Sequence, residues 1–121
     1  MNIINLANQY NKFQEDVGAE LDAHIDKTIS EIFSSSFKKT ANGSLLVAIR
    51  EDLQKQLFGI RHQVGGWTID VKEILAFQDP QRCLIRYHLD SVKAGLFDVM
   101  AILRASQNGL IEEIDEVYYQ I

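Results

Sequence analysis

At 121 residues, with 46% hydrophobic and 24% charged positions, the chain has the length and composition of one ordinary globular domain over residues 1–121. A formal net charge of −5 argues against a nucleic-acid-binding surface, and Lys38-Lys39 is the only adjacent basic pair, read as solvated loop residues. No apolar run approaches the roughly 20 residues that span a bilayer. Asn2, Asn5, Asn8 and Gln9 interrupt any signal-peptide core, and a single cysteine, Cys83, leaves no intrachain disulfide; a cytoplasmic location is the expectation.

From the N-terminus, Ile3, Leu6, Ala7, Tyr10, Phe13, Val17, Leu21, Ile25, Ile29 and Ile32 recur at three- and four-residue steps. That spacing predicts an amphipathic helix of about eight turns, broken near Gly18 and Asp22 because a straight rod of that length would overhang so small a domain. Ser34-Ser35-Ser36 ends the pattern. Asn42-Gly43 then predicts a hairpin of two short strands between Phe37 and Val47. A third helix follows, with Ile49, Leu53, Leu57, Ile60 and Val64 on one face, closed by Gly65-Gly66.

The remaining residues read as four strands: Trp67–Phe77, Arg82–Asp90, Leu96–Ala105 and Leu110–Gln120. Turn chemistry at Asp79-Pro80, Val92 to Gly95 and Gln107-Asn108-Gly109 separates them. Helices followed by a long antiparallel meander imply an α+β fold with the helices on one sheet face.

Alternation within strands assigns the faces. A loop centred on Asp79-Pro80 sets Glu73 opposite Arg86, and one centred on Pro80-Gln81 sets it opposite His88. Pairing Asp90 with Gly95 sets Leu84 opposite Ala101. A turn at Asn108-Gly109 sets Leu103 opposite Ile114 and Ala101 opposite Glu116. One face then carries Trp67, Ile69, Val71, Glu73, Leu75, Phe77, Leu84, Arg86, His88, Asp90, Phe97, Val99, Ala101, Leu103, Glu112, Ile114, Glu116 and Tyr118. Its strong polar residues among apolar ones resemble a pocket wall. The other face carries Ile74, Ala76, Cys83, Ile85, Tyr87, Leu89, Leu96, Asp98, Met100, Ile102, Val117 and Tyr119. Helices can cover only one of these. The second is expected to form a homodimer centred on Ile85, Tyr87, Leu89, Met100, Ile102 and Tyr119. An odd residue count in any turn would exchange the faces.

Metal ligation has little support, since His24, His62 and His88 lie in three different elements without ligand spacing. Cys83 reads as a small hydrophobe. Gly65-Gly66 follows a helix rather than opening one, so no phosphate loop is indicated, and no cofactor is expected.

On the helical half, the helix from Ile49 to Val64 and the segments Phe97-Asp98-Val99-Met100-Ala101-Ile102-Leu103-Arg104 and Asn108-Gly109-Leu110-Ile111-Glu112-Glu113, the whole chain resembles the nuclear transport factor 2-like superfamily. That superfamily includes SnoaL-like polyketide cyclases, ketosteroid isomerase, limonene epoxide hydrolase and scytalone dehydratase. The resemblance implies a cone-like, strongly bent mixed or antiparallel sheet closed by the N-terminal helices, an apolar pocket and a homodimer. It does not carry over steroid isomerisation. The oxyanion-hole Asp falls on Ala101, and no carboxylate occurs between Glu31 and Glu51 to act as general base, the nearest positions being Thr40 and Ala41. Tyr10 stands near the family's helix-1 tyrosine. Epoxide hydrolases of the superfamily pair an Arg and an Asp two residues apart with an acid on the last strand. Arg86, His88, Asp90 and Glu116 approximate that set, and His88 with Glu116 approximates the cyclases' inward acid and histidine.

The expected pair for proton transfer is therefore His88 and Glu116. Trp67, Glu73, Phe77, Arg86, Phe97, Val99 and Tyr118 are the expected ligand wall, around a small, mostly apolar molecule. Glu73, Arg86 and Glu116 read more readily as a structural ion-pair network than as a ligand-orienting set. The rival reading is a non-catalytic dimeric interaction module whose cone is filled by Trp67, Phe77 and Phe97.

Overall fold

The computed structural model describes all residues, Met1 to Ile121. Helix α1 (Ile3–Gly18) is followed by α2 (Ile25–Ile32), so the long stripe breaks between Gly18 and Ile25. Asn2 caps α1 by accepting hydrogen bonds from the amides of Ile4 and Asn5. Strands β1 (Phe33–Ala41) and β2 (Ser44–Val47) form the hairpin turned at Asn42-Gly43, where both residues have positive φ. The serine triplet lies inside β1, irregularly paired between Phe33 and Lys38, rather than in a loop.

A 3₁₀ turn (Arg50–Asp52) leads into α3 (Leu53–Val64). Ile49 therefore precedes the helix and, like Ile60, stays exposed. Gly65 ends α3 at φ 79°, its amide donating to the Arg61 carbonyl. Strands β3 (Trp67–Ala76), β4 (Arg82–Ser91), β5 (Gly95–Ala105) and β6 (Ile111–Gln120) complete one six-stranded sheet ordered β2-β1-β6-β5-β4-β3. All neighbours are antiparallel except β1 and β6, which run parallel. The result is an α+β fold, with the hydrophobic core between the three helices and the sheet's inner face.

Helix α1 sits directly on the start of β3. A Cβ on Gly18 would lie 2.5 Å from the Trp67 ring and carbonyl, and one on Gly66 would lie 2.7 Å from the Gly18 carbonyl. Only glycines allow these backbones to approach so closely.

The β5–β6 register is as expected, with Leu103 opposite Ile114 and Ala101 opposite Glu116, and Glu73 opposes Arg86. The face of β4 is not as expected. Ser91, not Asp90, closes against Gly95, leaving three residues in the loop. The Ser91 hydroxyl accepts from the Ala94 amide and donates to the Gly95 carbonyl, and Gly95 has φ 84°. That is the geometry of a three-residue hairpin loop. The extra residue turns β4 over relative to β5, so Leu84 opposes Ile102 and Ile85 opposes Ala101. Cys83, Ile85, Tyr87 and Leu89 accordingly point inward, and Leu84, Arg86, His88 and Asp90 point outward.

A second irregularity, a bulge at Lys72 between Val71 and Glu73, turns β3 over halfway along. Trp67, Ile69 and Val71 point inward, followed by Ile74 and Ala76, whereas Glu73 and Leu75 point outward.

Candidate functional site

The inner face holds a buried polar group where apolar side chains are the rule. From β6, Glu116 points inward, 8% exposed. From β4, Tyr87 donates its hydroxyl proton either to Gln14 Oε1, at 3.2 Å, or to Glu116 Oε2, at 3.4 Å. From β1, Lys39 brings its ammonium within 3.8 Å of Glu116 Oε1 and within 3.4 Å of Gln56 Oε1 on α3. Tyr10 of α1 is buried near Glu116. Burial, reinforced by the Glu116 carboxylate, holds the phenols of Tyr10 and Tyr87 well above the ordinary tyrosine range, so both stay protonated. Asn11 and Gln14 lie on the buried stripe of α1, and three of their amide atoms have no partner: both amide atoms of Asn11, and Nε2 of Gln14.

Aromatic side chains of the core pack next to Tyr10. Phe33 takes the rings of Tyr10, Phe13 and Phe37 edge-on, at centroid distances of 6.1, 5.2 and 4.7 Å. Trp67 donates its indole proton to the Gln14 carbonyl at 2.9 Å, fixing α1 against β3. Chemically, the arrangement offers one carboxylate, one lysine, two neutral phenols and the free amide nitrogen of Gln14 in a low-dielectric setting.

The expected site residues divide between the two faces. Glu116, Trp67 and Val99 point into the core and are buried. Phe97 and Tyr118 pack edge to face at 5.9 Å, with Tyr118 partly open to solvent. Phe77 lies at the β3–β4 turn under the Arg82 guanidinium, 5.0 Å away, and is not interior. Phe97, partly buried, packs against the core that contains Trp67, whereas Phe77 does not join them. Arg86, His88 and Glu73 are on the outer face, because of the Ser91 loop and the Lys72 bulge, so His88 and Glu116 do not meet.

Outside, Arg86 forms a bidentate pair with Asp98 at 3.2 and 2.8 Å, and Tyr119 donates to Asp98 at 2.9 Å. His88 Nε2 is 3.8 Å from Asp98. The Arg86 hydrogen bonds, aided by Tyr119, hold the Asp98 carboxyl below the usual carboxylate range. Ile85 and Tyr87, expected in a dimer interface, are fully buried within the protomer, and Leu89 faces the core; Met100, Ile102 and Tyr119 do face outward.

Lys39, Tyr87, Asn11 and Gln14 escape the sequence reading. Lys39 alternates with Phe37 and Ala41, the one signal that it points inward. Asn11 and Gln14 keep helical step with Ala7 and Gly18 inside the buried stripe.

A separate cleft of about 520 Å³ opens between the end of α1 and α2, with Phe13, Val17 and Ile25 among its apolar lining and Asp16, Glu20 and Asp22 among its polar lining. Arg61 grips Asp22 at its edge through two hydrogen bonds of 2.8 and 2.9 Å. No group of three His, Cys, Asp or Glu side chains converges as a metal site, and no helix is long and apolar enough to cross a membrane. Burial pushes the Cys83 thiol up to about 11.

No protein-family model matches the sequence, and no curated protein matches it. Solved structures match its fold closely. A SnoaL-like family protein from Agrobacterium tumefaciens superposes with a TM-score of 0.79 at 8% identity, over 96% of both chains. A nuclear transport factor 2-like protein of unknown function from Exiguobacterium sp. gives 0.76 at 15% identity, over 96% of this chain and 99% of that one. A protein from Sinorhizobium meliloti provisionally named a polyketide cyclase gives 0.73 at 12% identity, over 93% of each. The chain has the nuclear transport factor 2-like, SnoaL-like fold.

Proposed function

We propose that the chain binds a small, mostly apolar molecule in its cone, held through one carbonyl or hydroxyl group by the polar cluster around Glu116. The observation that carries this reading is the unpartnered amide nitrogen of Gln14, a residue whose Oε1 shares the Tyr87 hydroxyl with Glu116; the buried Asn11 amide on the same helix is also unpartnered. A buried polar group without a partner costs about 1–3 kcal/mol, and a guest with matching donors and acceptors would remove that cost. Glu116 keeps the proton-transfer role expected of it, with Tyr87 and Lys39 in place of His88 as its neighbours. The SnoaL-like fold of the solved neighbours agrees with a cone that takes small molecules, and by itself assigns no reaction.

A thermal-shift screen of hydrophobic alcohols, ketones and aldehydes tests this reading. A guest at about 100 times its dissociation constant raises stability by about 2.7 kcal/mol. Hits should weaken in Glu116→Gln and Gln14→Leu and persist in His88→Ala. Hits indifferent to both interior changes would refute the reading.

A second reading, dimerisation through the outer face, is favoured by the exposure of Met100, Val117 and Tyr119 beside the Arg86–Asp98 pair. Interfaces of this kind bury about 800 Å² per partner. Met100→Lys should then give a monomer in light scattering, and a monomeric wild type at high concentration would rule the dimer out.

A further inference from the structure

Lys39 is poorly explained as half of a structural ion pair. Its side chain is 7% exposed, yet its ammonium stops 3.8 Å from Glu116. Other pairs in the chain close to hydrogen-bond distance: Arg61 to Asp22 and Arg86 to Asp98 at 2.8 Å, and Lys72 to Asp70 at 2.6 Å. A buried pair offsets its desolvation only when the geometry is close, and this most buried pair is no closer than the exposed Lys27–Glu31 pair, also 3.8 Å apart. The ammonium makes one hydrogen bond, to Gln56 at 3.4 Å, out of the three it can donate. Beside it stands the Glu116 carboxylate, whose other oxygen lies 3.4 Å from the Tyr87 hydroxyl.

We propose that Lys39 is an amine nucleophile that condenses with an aldehyde or ketone held in the cone, giving an imine. This rests on the ligand-binding reading above and names the substrate class and the reacting atom. Glu116 takes one proton from the Lys39 ammonium. The freed nitrogen lone pair attacks the carbonyl carbon, a C–N bond forms, and the C=O π pair moves onto oxygen. A proton passes from nitrogen to that oxygen, giving a neutral carbinolamine. Glu116 then returns its proton to the hydroxyl, which leaves as water while the nitrogen lone pair closes the C=N bond. The product is a protonated imine and one water, with Glu116 again a carboxylate, so no oxidant, reductant or further reactant is needed.

The full chain is incubated at neutral pH with benzaldehyde and sodium cyanoborohydride, and the modified lysine is located by peptide fragmentation. Reductive benzylation is expected at Lys39 in excess of its exposed neighbour Lys38. It should disappear from position 39 in Lys39→Arg, which keeps the charge, and fall there in Glu116→Gln while surface lysines label as before. Benzyl alcohol, which cannot form an imine, is run in parallel by thermal shift to report guest binding alone. Stabilisation by the alcohol with Lys39 unlabelled overturns the nucleophile and leaves the binding reading intact. Labelling spread evenly over the lysines also overturns it. Absence of both labelling and stabilisation overturns the two together.

Discussion

Tyr87 and Glu116 meet across a strand that separates them. They belong to β4 and β6, with β5 between, and yet the Tyr87 hydroxyl lies 3.4 Å from Glu116 Oε2. Strands two apart are about 9.5 Å from one another, a gap that a tyrosine and a glutamate can close only over a small residue. Ala101, paired directly with both Glu116 and Ile85 and fully buried, is that residue. Ala101→Leu should force the two apart and cost about 1–3 kcal/mol through overpacking, measured by urea denaturation.

Tyr87→Phe tests the hydrogen bond itself. The ring remains and the hydroxyl goes, leaving Gln14 Oε1 without its donor in the core. A loss of about 1–3 kcal/mol is expected, and a neutral result would show that water or Gln14 rearrangement replaces the hydroxyl.

The Lys39–Glu116 pair calls for a double-mutant cycle. Lys39→Met strands a buried carboxylate and should cost about 3–5 kcal/mol at neutral pH. Adding Glu116→Gln to it should recover much of that loss. If the single change costs nothing, Glu116 has another source of charge compensation.

Two glycines give opposite expectations. Gly18→Ala drives a methyl group into the Trp67 ring and carbonyl, and should cost about 1–3 kcal/mol as α1 lifts from β3. Gly59 lies within α3 with open space where its Cβ would be, so Gly59→Ala should stabilise by about 0.4–1 kcal/mol. Thermal melts of the two variants should move in opposite directions.

Acid sensitivity should report on Asp98. Its carboxyl is held below the usual range chiefly by the Arg86 hydrogen bonds, so its contribution is fully present above the unfolded carboxylate pKa of about 3.9. That contribution is lost as pH falls through the lower folded value. Wild type and Asp98→Asn should therefore differ most near neutral pH and converge in acid. A constant difference across the range would mean that the substitution acts through packing.

Much of the fold could be read before its structure, because its punctuation is chemical. Asp79-Pro80, Asn108-Gly109 and Gly65 each demand particular backbone angles, and each falls where an element ends. Parity is a different matter. Whether Ser91 or Asp90 closes the β4–β5 loop changes the chain by one residue and reverses every side chain of β4, and that choice rests on a serine hydroxyl finding Ala94 and Gly95. The Lys72 bulge carries no glycine to announce it. Lys39, beside the exposed Lys38, looked like a solvated basic pair, although alternation puts it with Phe37 and Ala41. The Asn108-Gly109 turn fixes the register that puts Glu116 inside, whereas the faces of His88 and Arg86 depend on which residue closes the β4–β5 loop.

The Lys72 bulge sets the charge balance of the interior. Without the extra residue, Glu73 would follow Trp67, Ile69 and Val71 inward, and two carboxylates would face a single lysine. With it, Glu73 is outside and the inner cluster contains one anion and one cation, Glu116 and Lys39. To a distant point such a pair is a dipole rather than a charge, with a field that fades quickly. A further charge buried beside that pair would lose its hydration with little electrostatic return, while a neutral polar group could align with the dipole at close range.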